Sequence, residues 1–410
     1  MLRSRVVSRM APSGLCFLCF LLGTLGLVAA SVSTAAAATW TVNTLNNNNA
    51  DNCVAPNACN LRNAIISAAA SGDLIDMTSL SGVIRLNSAL PKIDKSLTIT
   101  GPGPDLLAVD ANGGNRRVFN IDASTGPVFI SGLAITGGAL SSGDGGGILN
   151  KTTLHLSNSI IHGNSAKDGG GIFNSTSGHL FLVNCSVYEN SSVGAGGAGG
   201  AGGGIRNKGV LNANVLDVHH NIAGDAGGGI SNTGGLSLCN GAIRDNNAAA
   251  SGGGMENGTD GSVLLEDCSV YGNSLTSGGP GGGIDSIGDL TLHHCTISGN
   301  STLDGVGGGL RTGGTASSRK TTTMTNCTVS GNTAAGANNS GGGIRIGANV
   351  DTRITFCTIA YNHSTVAGGG VSVGAGGTVT VGSTIISENT RGTSNAASDV
   401  KGTLPRAATT

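Results

Sequence analysis

Charge is scarce in this chain. Only 11% of its 410 residues are Asp, Glu, Lys or Arg, and 22 basic residues against 23 acidic ones leave a formal net charge of −1. That balance gives no electrostatic handle for a nucleic acid or an anionic membrane, both of which are met through clustered cations. Aromatic residues are scarcer still, at 3%. A long polysaccharide cleft usually carries more rings for stacking than this. No His-Glu-x-x-His pair is present, and no glycine run is followed by Lys and Ser or Thr, so zinc-protease and phosphate-loop chemistry have no foothold. Beyond about residue 38, no apolar run is long enough to span a bilayer.

Glycine is abundant, with 72 copies, but the strict every-third-residue frame of collagen is absent. Instead, three glycines precede an apolar residue at Ile148, Ile172, Ile205, Ile230, Met255, Ile284, Leu310, Ile344 and Val371. A second phrase ends in Asn at Asn164, Asn190, Asn221, Asn246, Asn273, Asn300, Asn332, Asn362 and Asn389, alternating with the first at a mean step of about 28 residues. Between them lie short alternating runs such as Leu290-Thr291-Leu292, the period of a half-buried strand. Three short strands and three turns fit one repeat. The fold class expected is all-β: a right-handed parallel β-helix, a solenoid of the pectin-lyase-like kind, in which coils stack about 4.8 Å apart.

Stacking turns equivalent positions into ladders. Five residues before the repeat Asn, Cys268, Cys295, Cys327 and Cys357 fall on consecutive coils. Four thiols in a line do not surround a point as a zinc site requires, so they are expected as buried small apolar residues, and no metal site is expected. Two residues after the glycine-flanked apolar residue come Asn150, Asn174, Asn207, Asn232 and Asn257, a ladder of amides expected to hydrogen-bond along the axis. Insertions at Val193 to Gly202, Gly313 to Lys320 and Ala334 to Ser340 are expected at turns.

The ends of the chain read differently. Residues 1–38 combine Arg3, Arg5 and Arg9 with an apolar run from Leu15 to Ala30 and small residues at Ala36-Ala37-Ala38, the pattern of a removable signal peptide. The mature protein is then expected to be exported, extracellular or associated with the cell surface or outer membrane, with no transmembrane segment after signal removal. Residues 39–125 form an N-terminal cap and first coils. Here Cys53 and Cys59 are close enough for a disulfide in an exported protein. Leu61, Ala64, Ile65 and Ala68 make the apolar stripe of a short capping helix. Residues 126–390 hold the repeats. Residues 391–410 form a tail with no β-barrel pattern and no sortase signal, expected to be truncated if the protein is a self-transporting passenger.

The run Cys59-Asn60-Leu61-Arg62-Asn63-Ala64-Ile65 resembles the Cys-Ser-Leu-Arg-Glu-Ala motif of the CSLREA domain, which opens many exported bacterial β-helix proteins; Asn60 and Asn63 depart from it. Ser96 to Gly103 and Val128 to Gly138 are similar to the strands that follow that motif. The repeats also resemble those of polymorphic outer-membrane proteins, with Gly147-Ile148-Leu149-Asn150 and its copies in the place of the family motif. The resemblance implies an exported β-helix and no shared reaction.

Chemistry is sought where the repeat leaves positions free. The residue after the glycine-flanked apolar one varies most in charge: Arg206, Ser231, Glu256, Asp285, Arg311 and Arg345 follow in order. It alternates with an inward residue and is therefore expected to face water. Glu256 and Asp285 would lie one coil apart with Arg311 beside them, a candidate acid–base pair. Carbohydrate-active enzymes of this fold class work with paired acids, or with Ca²⁺ and an arginine, so a polysaccharide lyase or glycoside hydrolase acting on pectin-like polymers is one reading, with Ca²⁺ its cofactor. The other, which needs no cofactor, is a non-catalytic β-helix for surface display, adhesion or envelope interaction. Its partners would be a polysaccharide, a host-cell surface or the envelope.

Overall fold

The computed structural model describes residues 37–48, 53, 59–68, 71–192, 199–336 and 340–403, which belong to one compact unit. The signal-peptide reading of residues 1–36 lies outside the described residues, as do 193–198 and 337–339 of the insertions and 404–410 of the tail. The chain is a right-handed parallel β-helix of about 12 turns, pectin-lyase-like in form. Its strands make a 22-stranded, an 11-stranded and a 9-stranded sheet.

One coil shows how the sequence achieves this. Ile284–Ser286 lies in the 11-stranded sheet, Asp289–His293 and Thr296–Ser298 in the long sheet, and Ser301–Thr302 in the 9-stranded one. Three of its corners are single residues of left-handed backbone: His294 at φ 53°, Gly299 at 62° and Gly307 at 70°. Asn, Asp, His and Gly recur in these three rows because they enter that region at least cost. Between corners the chain alternates. Ile284, Leu290, Leu292, Cys295 and Ile297 point inward and are almost wholly buried. Leu292 stacks between Leu265 and Met324, each in parallel register with it. Each such side chain contributes about 1.5–3 kcal/mol by leaving water, so stability accumulates coil by coil.

The triple glycine has a separate reason at each position. Gly281 has φ 72°. Gly282 and Gly283 lie at the crossing of two coils, and a Cβ on Gly283 would sit 2.6 Å from the Gly309 carbonyl oxygen and 2.8 Å from Asn300 Cγ. No side chain fits there, and the space is taken by the repeat asparagine.

That asparagine forms a continuous ladder. The Asn300 amide donates to the Val270 carbonyl at 2.9 Å and to Asn332 Oδ1 at 2.9 Å, while its own Oδ1 accepts from the backbone and side chain of Asn273. The pattern runs from Asn164 to Asn389. It satisfies backbone groups that a turn inside the core would otherwise leave unpaired.

The N-terminal end carries helix α1, Leu61–Ser67, with Asn60 as its N-cap accepting from the Asn63 N–H. Leu61, Ala64, Ile65 and Ala68 join the core, as their spacing predicts, and Ile66 faces out. Cys53 and Cys59 form a disulfide beside this helix. Arg62 donates to the Ala89 and Ser88 carbonyls, both at 2.7 Å, and so ties the cap to the first coils. At the other end Thr390–Arg391 pairs antiparallel with Ala396–Ala397, which turns the chain back across its last coil.

Candidate functional site

The variable row lies on the 11-stranded sheet and stays in register throughout. Arg206 neighbours Ser231, then come Glu256, Asp285, Arg311, Arg345 and Ser372. Glu256 and Asp285 are therefore brought together on adjacent coils, with Arg311 next to Asp285, as their spacing predicts.

Their exposure differs from the expectation. Asp285 is only 6% exposed, and the Glu256 side chain 14%. Asp285 is a short side chain in a row whose neighbours, Glu256 and Arg311, are long. Facing away from the core is therefore not the same as facing water. The row consumes its own charges. Arg311 Nη1 donates to Asp285 Oδ1 at 3.0 Å. Arg206 lies 3.7 Å from Glu256 Oε2 and also donates to Ser231 Oγ, which passes a hydrogen bond to the same Glu256 oxygen at 2.5 Å. Arg345 donates to Ser372 Oγ at 2.8 Å.

Burial pushes Asp285 up to about 6; Arg311 opposes this and the neighbouring Glu256 adds to it. Burial also raises Glu256, against the pull of Ser231 and Arg206. An acid held near neutrality is a property of general-acid sites. The arginine on each carboxylate argues against Ca²⁺, which would need those oxygens as ligands. Ser372 belongs to the spelling Gly370-Val371-Ser372-Val373-Gly374, that of a nucleophile elbow. It lies within the strand Val371–Val373 and is buried, so it lacks the strand-to-helix turn that exposes such a serine.

The two predicted ladders are present. Asn150 donates to Asn174, Asn174 to Asn207, Asn207 to Asn232 and Asn232 to Asn257, at 2.7–2.9 Å. Asn257 continues it to Ser286. The thiols of Cys268, Cys295, Cys327 and Cys357 are buried, and each donates to the carbonyl two residues before it. Hydrogen bonding with Cys295, together with burial, pushes Cys327 up to about 12. Cys327 is thus held as a neutral, carbonyl-bound thiol, whereas hydrogen bonding with Cys295 lowers Cys268 against the effect of its burial.

Sequence reasoning missed two features. His162 and His219 occupy equivalent positions two coils apart, and Tyr188 fills the coil between them, so the three rings form one stack with centroids 5.1 and 4.8 Å apart. Phe129, His155 and Phe181 form a second such stack. The other omission is the corner row Asn158, Asn184, Val215, Asn240 and Asp267, all at positive φ. Its signal was available, because each of these residues lies six positions before a repeat asparagine.

Among the described residues no helix is long and apolar enough to cross a membrane. No protein family, curated protein or solved structure matches this chain.

Proposed function

We propose that this chain is an exported, non-catalytic β-helix that works by display, meeting a polysaccharide, a host-cell surface or the envelope. One observation carries the reading. Both carboxylates of the candidate pair are engaged by arginines, Asp285 by Arg311 on the next coil and Glu256 by Arg206 two coils away, directly and through Ser231, so they act as links in a charge ladder. A catalytic pair needs its oxygens turned to substrate. The N-terminal segment is read as a CSLREA-type cap. In support, Cys59 is clipped to Cys53, Leu61 and Ala64 enter the core, and Arg62 holds the loop at Ser88 and Ala89.

A second reading, a polysaccharide lyase or glycoside hydrolase, is favoured by the raised Asp285. The two are separated by incubating the purified full chain with a broad panel of polysaccharides and measuring released sugar ends. The display reading expects no release. Release that is abolished by Glu256→Gln or Asp285→Asn would replace it with the enzyme. Export is checked by cell fractionation and N-terminal sequencing. Recovery of the protein from the cytoplasm with residues 1–38 attached would sink both readings.

A further inference from the structure

A cleft of about 800 Å³ runs along the outside of the corner that divides the long sheet. Its floor is the row of left-handed residues from Asn158 to Asp267, five coils that span roughly 20 Å at the spacing of stacked strands. Its wall includes Asp217 and, on the neighbouring outward row, Arg244 and Tyr271, which are in register with each other. Arg244 grips Asp217 with two hydrogen bonds, at 3.1 and 2.8 Å. One end is stopped. Where later coils turn with a single residue such as Gly132, the chain between Gly101 and Leu106 makes a longer detour; Gly103 bonds the Gly132 carbonyl at 3.0 Å, and Pro104 lines the cleft.

Val215 sets this groove apart. It has φ 55°, and it is 48% exposed. A β-branched residue in left-handed backbone is a true outlier, whereas Asn184 and Asn240 on either side suit that geometry. The fold gains nothing from an exposed valine there. Strain retained at an exposed position points to contact with something.

The occupant follows from the chemistry of the lining. Asp217 and Asp267 outnumber Arg244, which disfavours a nucleic acid or a polyuronate. The strands on both sides of the corner are paired on both edges, so there is no free edge for an added peptide strand. Side-chain amides and the Asp217–Arg244 pair suit hydroxyl groups, while Val215 and the Tyr271 ring suit C–H faces. The corner amides recur at Asn158, Asn184 and Asn240, so a repeating ligand can meet more than one of them at once. We propose that this corner groove binds a linear, uncharged oligosaccharide. The inference deepens the display reading and rests on it, since the groove would be where the displayed protein meets a glycan.

The test uses the purified full chain and calorimetric titration with cellohexaose, xylohexaose, mannohexaose, chitohexaose and hexagalacturonate. At least one uncharged hexasaccharide should bind. Val215→Asn should raise the melting temperature and weaken that binding by roughly tenfold, as should Tyr271→Ala without a change in melting. Binding to none of the uncharged sugars, binding to hexagalacturonate alone, or binding unchanged in both variants overturns the groove. Adhesion to cells and matrix is measured in parallel. If wild type and both variants adhere equally, the groove fails and the display reading stands. If wild type adheres to nothing, the display reading fails, and the titrations alone decide whether the groove binds sugar.

Discussion

Asp399 accepts two hydrogen bonds from Asn389, one from its backbone N–H and one from its side-chain amide, both at 3.0 Å. Its backbone is in register with Gly370, the third glycine of the triplet, yet its carboxylate takes the accepting role of one more repeat asparagine and closes the ladder. Asp399→Ala should lower stability by about 1–3 kcal/mol, because it leaves a buried amide without its acceptor. Asp399→Asn keeps an acceptor oxygen in place and should stay near wild type. Chemical denaturation of both variants measures the difference.

The same argument is stronger inside the ladder. Asn300→Ala would remove an acceptor from Asn273 and a donor from Val270 and Asn332 together. About 1–3 kcal/mol is at stake for each group left unpaired. Asn300→Ala should therefore destabilise more than Asp399→Ala, and hydrogen exchange should rise first at the coils on either side of residue 300.

The glycine triplet should tolerate no side chain. Gly281→Ala adds to the left-handed penalty of about 1–2 kcal/mol a Cβ 2.3 Å from the Ile284 carbonyl oxygen, so it should cost well more than that penalty. Gly283→Ala places that Cβ 2.6 Å from a backbone oxygen of the next coil. Neither element can move without parting the coils, so the variant should lose cooperative unfolding or fail to fold. Circular dichroism and thermal melts separate the two.

Asp285 predicts a pH dependence. An acid whose folded pKa lies above its unfolded value binds its proton more tightly in the native state, so its stabilising effect belongs to low pH. That contribution is lost as pH rises from near 4 toward about 6. Asp285→Asn should remove this slope. Relative to wild type, the variant should gain on the order of 1–3 kcal/mol between pH 4 and 7. A difference that is flat in pH would refute the burial of this carboxylate.

Arg62 tests the cap. Arg62→Ala removes two charge-assisted bonds, to Ser88 and Ala89. The loss should be about 1.5–3 kcal/mol, with Arg62→Lys recovering part of it. Limited proteolysis should then cut near residues 59–90 before the repeats.

Much of this was legible in the sequence because period and chemistry coincide. Leu290 and Leu292 alternate, the thiols recur at one offset, and five asparagines at another, so stacking alone predicts their ladders. Helix α1 was legible from four apolar residues at helical spacing. The burial of Asp285 was not. Orientation follows from the alternation along a strand, but exposure depends on the lengths of the side chains on the coils above and below. Tyr188 was overlooked for a related reason, since it joins the stack between His162 and His219 as a different residue type in the same register. Val215 needed backbone angles to be noticed, because a valine in a β protein draws no attention until its φ is known.

Both asparagine ladders share one direction: in each, the amide of an earlier coil donates to the oxygen of a later one. Each junction that a ladder crosses is thus the same head-to-tail joint. A cut and rejoining between equivalent residues restores it, whereas a shift by one residue breaks both ladders. The length of this molecule is therefore counted in whole coils, and removing or duplicating one gives a shorter or longer rod with unchanged joints. Reach, the distance at which such a rod holds its far end from its base, is then the quantity most easily adjusted without redesigning the protein.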